Sequence, residues 1–168
     1  MQPFNRYLIG RKRFNYIRSF FTVFSVQLVI NFGTKSNPKV FLLKRKEQPA
    51  KDMWWIPGGI VFKIEDSRSA ALRIALRETG VECRIVKQLQ NTREIFKDVP
   101  GIPDRIADNI SENFLLVPLN KNAGVCLDKT SSDYKFISKI EGNLHPFVKR
   151  HLRNSGLFIA NQIKKQVL

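Results

Sequence analysis

Gly59-Ile-Val-Phe-Lys-Ile-Glu65 and then, after seven further residues, Arg73-Ile74-Ala75-Leu76-Arg77-Glu78-Thr79-Gly80-Val81 form the stretch on which the fold is decided. Between Ser67 and Thr79 the helix formers Ala70, Ala71, Leu72, Ala75 and Leu76 dominate, so a helix is predicted there, with Ser67 as its N-cap and Gly80 as its C-terminal stop. On that helix positions 74, 77 and 78 share one face. Just upstream, Trp54-Trp55-Ile56 is a short apolar segment stopped by Pro57-Gly58-Gly59. Hard cations such as Mg²⁺ take oxygen ligands, so a cluster of carboxylates on such a face is what metal-assisted pyrophosphate cleavage needs. Here the face reads Ile74, Arg77, Glu78 and carries a single carboxylate.

Working outward, the β-branched and aromatic run from Phe21 to Phe32 predicts a strand, and Gly33 to Pro38 a polar turn before a second strand, Lys39 to Arg45. The two read as a hairpin-like pair. Val81 to Gln90 and Asn113 to Leu119 predict further strands. Asn91 to Ser111, with two prolines, Gly101 and mixed charge, predicts a long loop, the kind of segment that often carries function. Tyr134 to Ile137 predicts a strand end and Pro146 to Gln166 a C-terminal helical region. No internal repeat is present.

With 168 residues and 43% hydrophobic content, one well-packed core is expected. Residues 1–19 read as a basic N-terminal arm or short helix and residues 20–168 as the domain. The net charge of +15 favours anionic partners, and it is concentrated toward the ends: residues 1–63 hold 12 Lys/Arg against Glu47 and Asp52 alone, whereas residues 82–133 hold 7 against 8 acids. Arg11-Lys12-Arg13-Phe14-Asn15-Tyr16 interleaves basic and aromatic residues in a manner compatible with nucleic-acid binding through the basic ends. Cys83 and Cys126 stand alone, which excludes a zinc site of paired cysteines and a disulfide framework and points to a reducing, cytoplasmic setting. The apolar run Phe20 to Phe32 is broken by Ser25, Gln27 and Asn31 and falls short of the ~20 residues of a spanning helix, so no transmembrane segment is expected.

The stretch 59–81 resembles the Nudix box, which runs Gly, five residues, Glu, seven residues, Arg-Glu, an aliphatic, any residue, Glu-Glu, any residue, Gly, an aliphatic. Gly59, Glu65, Arg73, Glu78, Gly80 and Val81 keep its spacing, and Trp54-Trp55-Ile56-Pro57-Gly58 and Phe41-Leu42-Leu43-Lys44-Arg45 resemble the family's approach to it. The resemblance implies an α/β (α+β) Nudix fold, a mixed β-sheet sandwiched between helices. Within the superfamily the chain is most similar to the GDP-mannose mannosyl hydrolase branch, which also keeps only the last Glu of the box. That branch has an arginine where Ile60 stands, a glutamine and a histidine where Thr130 and Ser131 stand, and an early-strand acid where Gln27 falls, so the box is degenerate.

The resemblance implies a Mg²⁺-dependent (or Mn²⁺-dependent) hydrolase of a nucleoside diphosphate derivative such as a nucleotide sugar, and a homodimer. The Gly58 carbonyl and Glu78 are the implied metal ligands, and Arg45 the implied contact to phosphate, which a guanidinium suits. Trp55 is taken as a substrate-binding residue, one of Trp54 and Trp55 packing in the core and the other stacking on a base. Glu65 and Arg73 read as a structural pair, with Gly59 and Gly80 completing the motif. A hydroxyl is no general base at neutral pH, so the base is sought among Glu94, Asp98, Asp104, Asp108 and above all Glu112. His145 and His151, six residues apart, read as surface or core histidines. The alternative is a catalytically impaired Nudix scaffold that binds nucleotide or RNA.

Overall fold

The computed structural model describes residues 10–158. Their elements run α1 (Arg11–Ile17), β1 (Val23–Ile30), β2 (Val40–Arg45), β3 (Trp54–Trp55), β4 (Gly58–Ile60), α2 (Ser67–Thr79), β5 (Cys83–Phe96), β6 (Ala107–Pro118), β7 (Ser131–Ile137) and α3 (Pro146–Ser155). A four-stranded mixed sheet has the order β4-β1-β6-β5, with β1 and β6 parallel and the other pairs antiparallel. A three-stranded antiparallel sheet has the order β3-β2-β7. The mixed sheet is sandwiched between helices, as the resemblance implies, and the smaller sheet stands beside it.

Side chains alternate across a strand, which assigns the two faces of the mixed sheet. Val26 pairs with Gly59, and a Cβ built on Gly59 would lie 3.0 Å from Ile74 Cδ1 of α2. Ser25 and Gln27 therefore face the other way, together with Glu94 of β5, which bonds His151 of α3. The core holds Val26, Leu28, Ile30, Phe114, Leu116 and the α2 residues Ala70, Ala71, Ile74 and Ala75, all fully buried. Alanines at three of those positions let α2 sit close on the sheet.

Several expectations are corrected. The strands around β1 and β2 do not pair as a hairpin; beyond an isolated bridge between Asn31 and Val40 they enter different sheets. Pro57-Gly58-Gly59 is not simply a turn, because Gly58 to Ile60 pairs with β1. The predicted loop 91–111 is mostly strand: β5 runs to Phe96 and β6 starts at Ala107, so only 97–106 connects them. Asp66 rather than Ser67 caps α2, its Oδ1 accepting from the N–H groups of Arg68 (3.0 Å) and Ser69 (2.9 Å). Gly80 ends α2 with φ +70°. The C-terminal helix stops at Ser155 with Gly156 as its left-handed cap, and the predicted continuation beyond 158 lies outside the described residues, as do residues 1–9 of the basic arm, whose Arg11–Tyr16 cluster falls on α1. Among the described residues no helix is long and apolar enough to cross a membrane.

Candidate active site

The site begins where β4 meets α2. The Gly58 N–H donates to Glu78 Oε2 at 3.0 Å, and Arg77 donates to the other oxygen, Oε1. Arg77 also approaches Asp128 Oδ2 through its Nε at 3.4 Å. Burial pushes the Glu78 carboxyl above its ordinary value, and the neighbouring charge of Arg77 and the two hydrogen bonds only partly oppose this. Ile74, on the same helix face, is fully buried against Gly59 and belongs to the core.

Glu65 and Arg73 form a bidentate pair, Arg73 Nε to Oε1 at 2.6 Å and Nη2 to Oε2 at 2.7 Å. Arg73 also donates to the Ile60 carbonyl (3.0 Å) and lies 4.1 Å above the Phe62 ring, while Glu65 accepts the Phe62 N–H at 2.9 Å. The pair thus ties the segment after β4 to α2. Burial raises the Glu65 carboxyl, but the Arg73 hydrogen bond and charge and the Phe62 N–H outweigh it and hold it below its ordinary value.

Two cavities meet at Gly58. The smaller, about 50 Å³, is lined by Leu43, Arg45, Glu47, Gly58, Glu78, Thr130 and Ser131. The larger is a cleft of about 240 Å³ that runs from Gly58 and Gly59 past Gln27 and Ser25 to Glu94 and Phe96, with Phe14, Asn15 and Arg18 of the N-terminal segment on its opposite wall. Arg45 and Glu47 line both. Arg45 Nε donates to the Pro49 carbonyl at 2.9 Å, and its guanidinium lies 5.9 Å from the Trp55 ring centre.

The structure brings Gly58, Glu78 and Arg45 together with Thr130 and Ser131. Trp55 is 2% exposed and packs against Phe96 and His145, so it walls the cleft, while Trp54 is partly buried beneath Lys135, 4.7 Å from its ring. Glu112 is not brought to the site. It pairs with Val26 and therefore points to the α2 face of the sheet, and it lines neither cavity. Asp108 pairs with Arg93 and accepts from Thr22, and Asp98 and Asp104 lie in the 97–106 connection; none of the three lines a cavity. His145 caps α3, its Nδ1 accepting the Phe147 N–H at 3.2 Å, and burial lowers its pKa, Glu94 partly opposing. Cys83 and Cys126 are free thiols, and burial pushes Cys83 up to about 11.

Sequence reasoning missed Glu47. It sits in the polar segment after β2, where only the approach of that segment to Gly58 gives it a place in both cavities. Glu94, sought in a loop, lies instead on β5, 1% exposed and lining the larger cleft.

Oxygen donors dominate the smaller cavity: the carboxylates of Glu78 and Glu47, the Thr130 hydroxyl, and Ser131 Oγ, which is buried without a hydrogen-bond partner. An orphaned buried hydroxyl beside carboxylates suits a hard divalent cation that keeps part of its water shell. Among the described residues no three or more His, Cys, Asp or Glu side chains come together to hold a metal ion.

Comparison with known proteins bears on the fold and the family. The NUDIX domain model matches residues 23–150. The chain is 32% identical over 128 residues to the low-salt glycan biosynthesis protein Agl8 of Haloferax volcanii, covering 76% of this chain and 78% of the relative. Among solved structures it is similar in fold to a MutT NUDIX hydrolase from Burkholderia pseudomallei (TM-score 0.65, 15% identity, 80% of this chain and 98% of that one). It is likewise similar to an Ap4A hydrolase of C. elegans (TM-score 0.62, 19% identity, 83% and 99%). With the box in register on β4 and α2 and the family model spanning most of the chain, the protein belongs to the NUDIX family.

Proposed function

We propose that this protein is a divalent-metal-dependent hydrolase of a nucleoside diphosphate derivative, with nucleotide sugars such as GDP-mannose as the substrate class. The observation that carries the reading is the junction at Gly58, where a cleft of about 240 Å³ meets a small cavity lined by Glu78, Glu47 and the unpartnered Ser131 hydroxyl. That the Haloferax relative is a glycan biosynthesis protein supports the sugar half of the substrate.

Glu78 and the Gly58 carbonyl would hold Mg²⁺ or Mn²⁺, with Glu47 and Ser131 beside them. The ion supplies Lewis acidity and neutralises charge on the diphosphate and the leaving group. Arg45 grips the diphosphate: its fork is aimed by the bond to Pro49 and by the flank of Trp55. Arg77 holds Glu78 Oε1 and so orients the carboxylate, leaving Oε2 shared with the Gly58 N–H. Glu47, at the mouth between the two cavities, accepts the proton of the attacking water, a role that Thr130 and Ser131 lack the basicity to fill.

Turnover of a panel of nucleoside diphosphate sugars in ¹⁸O-labelled water tests this. Label in the released sugar reports attack at carbon, and label in the phosphate reports attack at phosphorus. Absence of product from every member of the panel contradicts the proposal.

A further inference from the structure

Arg77 sets a fixed positive charge directly against the carboxylate assigned above to the metal. Its Nη2 donates to Glu78 Oε1, and its Nε lies 3.4 Å from Asp128 Oδ2. Among the described residues that buried Nε makes no hydrogen bond, so its contact with Asp128 is one of charge. The guanidinium also lies beside β4, where a Cβ built on Gly59 would stand 3.3 Å from Nη2. The Arg77, Asp128 and Glu78 side chains are only 27%, 13% and 7% exposed, so water screens these charges weakly.

Asp128 is held from its other side. Its Oδ1 accepts both the N–H of Thr130, at 2.8 Å, and the Thr130 hydroxyl. The Cys126 N–H donates to the Thr79 carbonyl at 2.8 Å and docks the same segment on the end of α2. Thr130 and Ser131 line the smaller cavity with Glu78, but Asp128 lines neither cavity. Asp128 therefore reaches Glu78 through Arg77. One cation is shared by two carboxylates, of which Glu78 faces the cavity.

We propose that Arg77 is a resident cation of the metal centre: it competes with a divalent ion for the charge of Glu78 and so lowers the affinity of the site for that ion, with Asp128 as the counterion that moderates the effect. The proposal rests on Glu78 as a metal ligand, the reading given above. A carboxylate already bonded to a guanidinium attracts a second cation less, and the two positive charges repel. Asp128 offsets part of that repulsion. By sharing Glu78, Arg77 leaves more of the ion's charge for the diphosphate oxygens.

Mn²⁺ binding without nucleotide, read from the electron paramagnetic resonance signal of the free ion, tests this on the full chain. Arg77→Gln keeps a hydrogen-bond donor for Glu78 and removes the charge, so Mn²⁺ should bind about tenfold more tightly than to the parent. Arg77→Lys keeps the charge and should stay within about twofold of the parent. Asp128→Asn keeps an oxygen for Thr130 but leaves Arg77 uncompensated, so binding should weaken about threefold. If Arg77 served only to hold Glu78 in place, its loss would loosen the ion instead. Unchanged or weaker binding in folded Arg77→Gln therefore overturns the proposal. Should that variant fail to fold, unchanged or tighter binding in Asp128→Asn overturns it. Glu78→Gln separates this result from the reading on which it rests: Mn²⁺ binding that Glu78→Gln leaves undiminished contradicts Glu78 as a ligand, and the proposal with it.

Discussion

The backbone N–H of Gly58 donates to Oε2 of Glu78, 3.0 Å away, joining β4 to the last turn of α2. This bond requires Gly58 to lie closely against β1. A Cβ there would stand 2.5 Å from Gln27 Oε1 and 2.9 Å from the Val26 carbonyl oxygen, and the second is backbone that cannot swing aside. Gly58→Ala is therefore expected to lower stability by about 1–3 kcal/mol, the usual cost of overpacking. Urea unfolding measures it, and a midpoint equal to that of the parent would show that β4 has room to spare.

Glu65 makes a pH-dependent contribution. Its folded-state pKa lies below the ordinary 4.5, so its stabilisation is fully present above the unfolded value and is lost as pH falls through the folded one. Glu65→Gln should cost about 1–2 kcal/mol at pH 7, the range of a charge-assisted pair, and progressively less as the solution is acidified below the carboxylate range. Denaturation at pH 7 and pH 3 compares the two. A gap that does not narrow would mean that packing over Phe62, rather than charge, holds Arg73.

Ile64 adopts φ +61° and is 87% exposed. A β-branched residue is strained in this region, and nothing is gained from burying its side chain. Ile64→Asn, which tolerates the left-handed conformation, should stabilise the protein by about 0.5–1 kcal/mol, seen as a higher thermal midpoint. A lower midpoint would contradict the strain argument.

Arg45 lines both cavities and is held by Pro49. Arg45→Lys keeps the charge and loses the planar fork, so KM for a nucleotide sugar should rise about tenfold with a smaller change in kcat. A change confined to kcat would place Arg45 in the chemical step rather than in binding.

Much of the fold is legible from α2 alone, because the alanine and leucine run and the Gly80 stop are local signals that packing reinforces. The cap was shifted by one residue because Asp66 and Ser67 are both good caps and only the hydrogen bonds tell them apart. The segment 91–111 reads as a loop for a physical reason. Its inward residues Thr92, Glu94, Asn109 and Ser111 are polar, so the alternation that marks a strand is missing where β5 and β6 face the cleft. Thr92 and Ser111 satisfy each other across the strands at 3.0 Å, which no local pattern reveals. Of the proposed metal ligands, Glu78 is carried by motif spacing and Gly58 by the segment leading into the box. Glu47 and Ser131 enter the site only through tertiary packing of β2 and β7 beside β4.

The most direct test of the central claim is initial-rate turnover of the preferred nucleotide sugar, titrated with Mg²⁺ and Mn²⁺, for the parent and for Glu78→Gln. Turnover should require one cation per site, disappear with a chelator, and fall at least a hundredfold in the variant, which retains the shape but not the charge of the ligand. Undiminished turnover in Glu78→Gln, or turnover indifferent to the chelator, would contradict the assignment of Glu78 and Gly58 as the metal site.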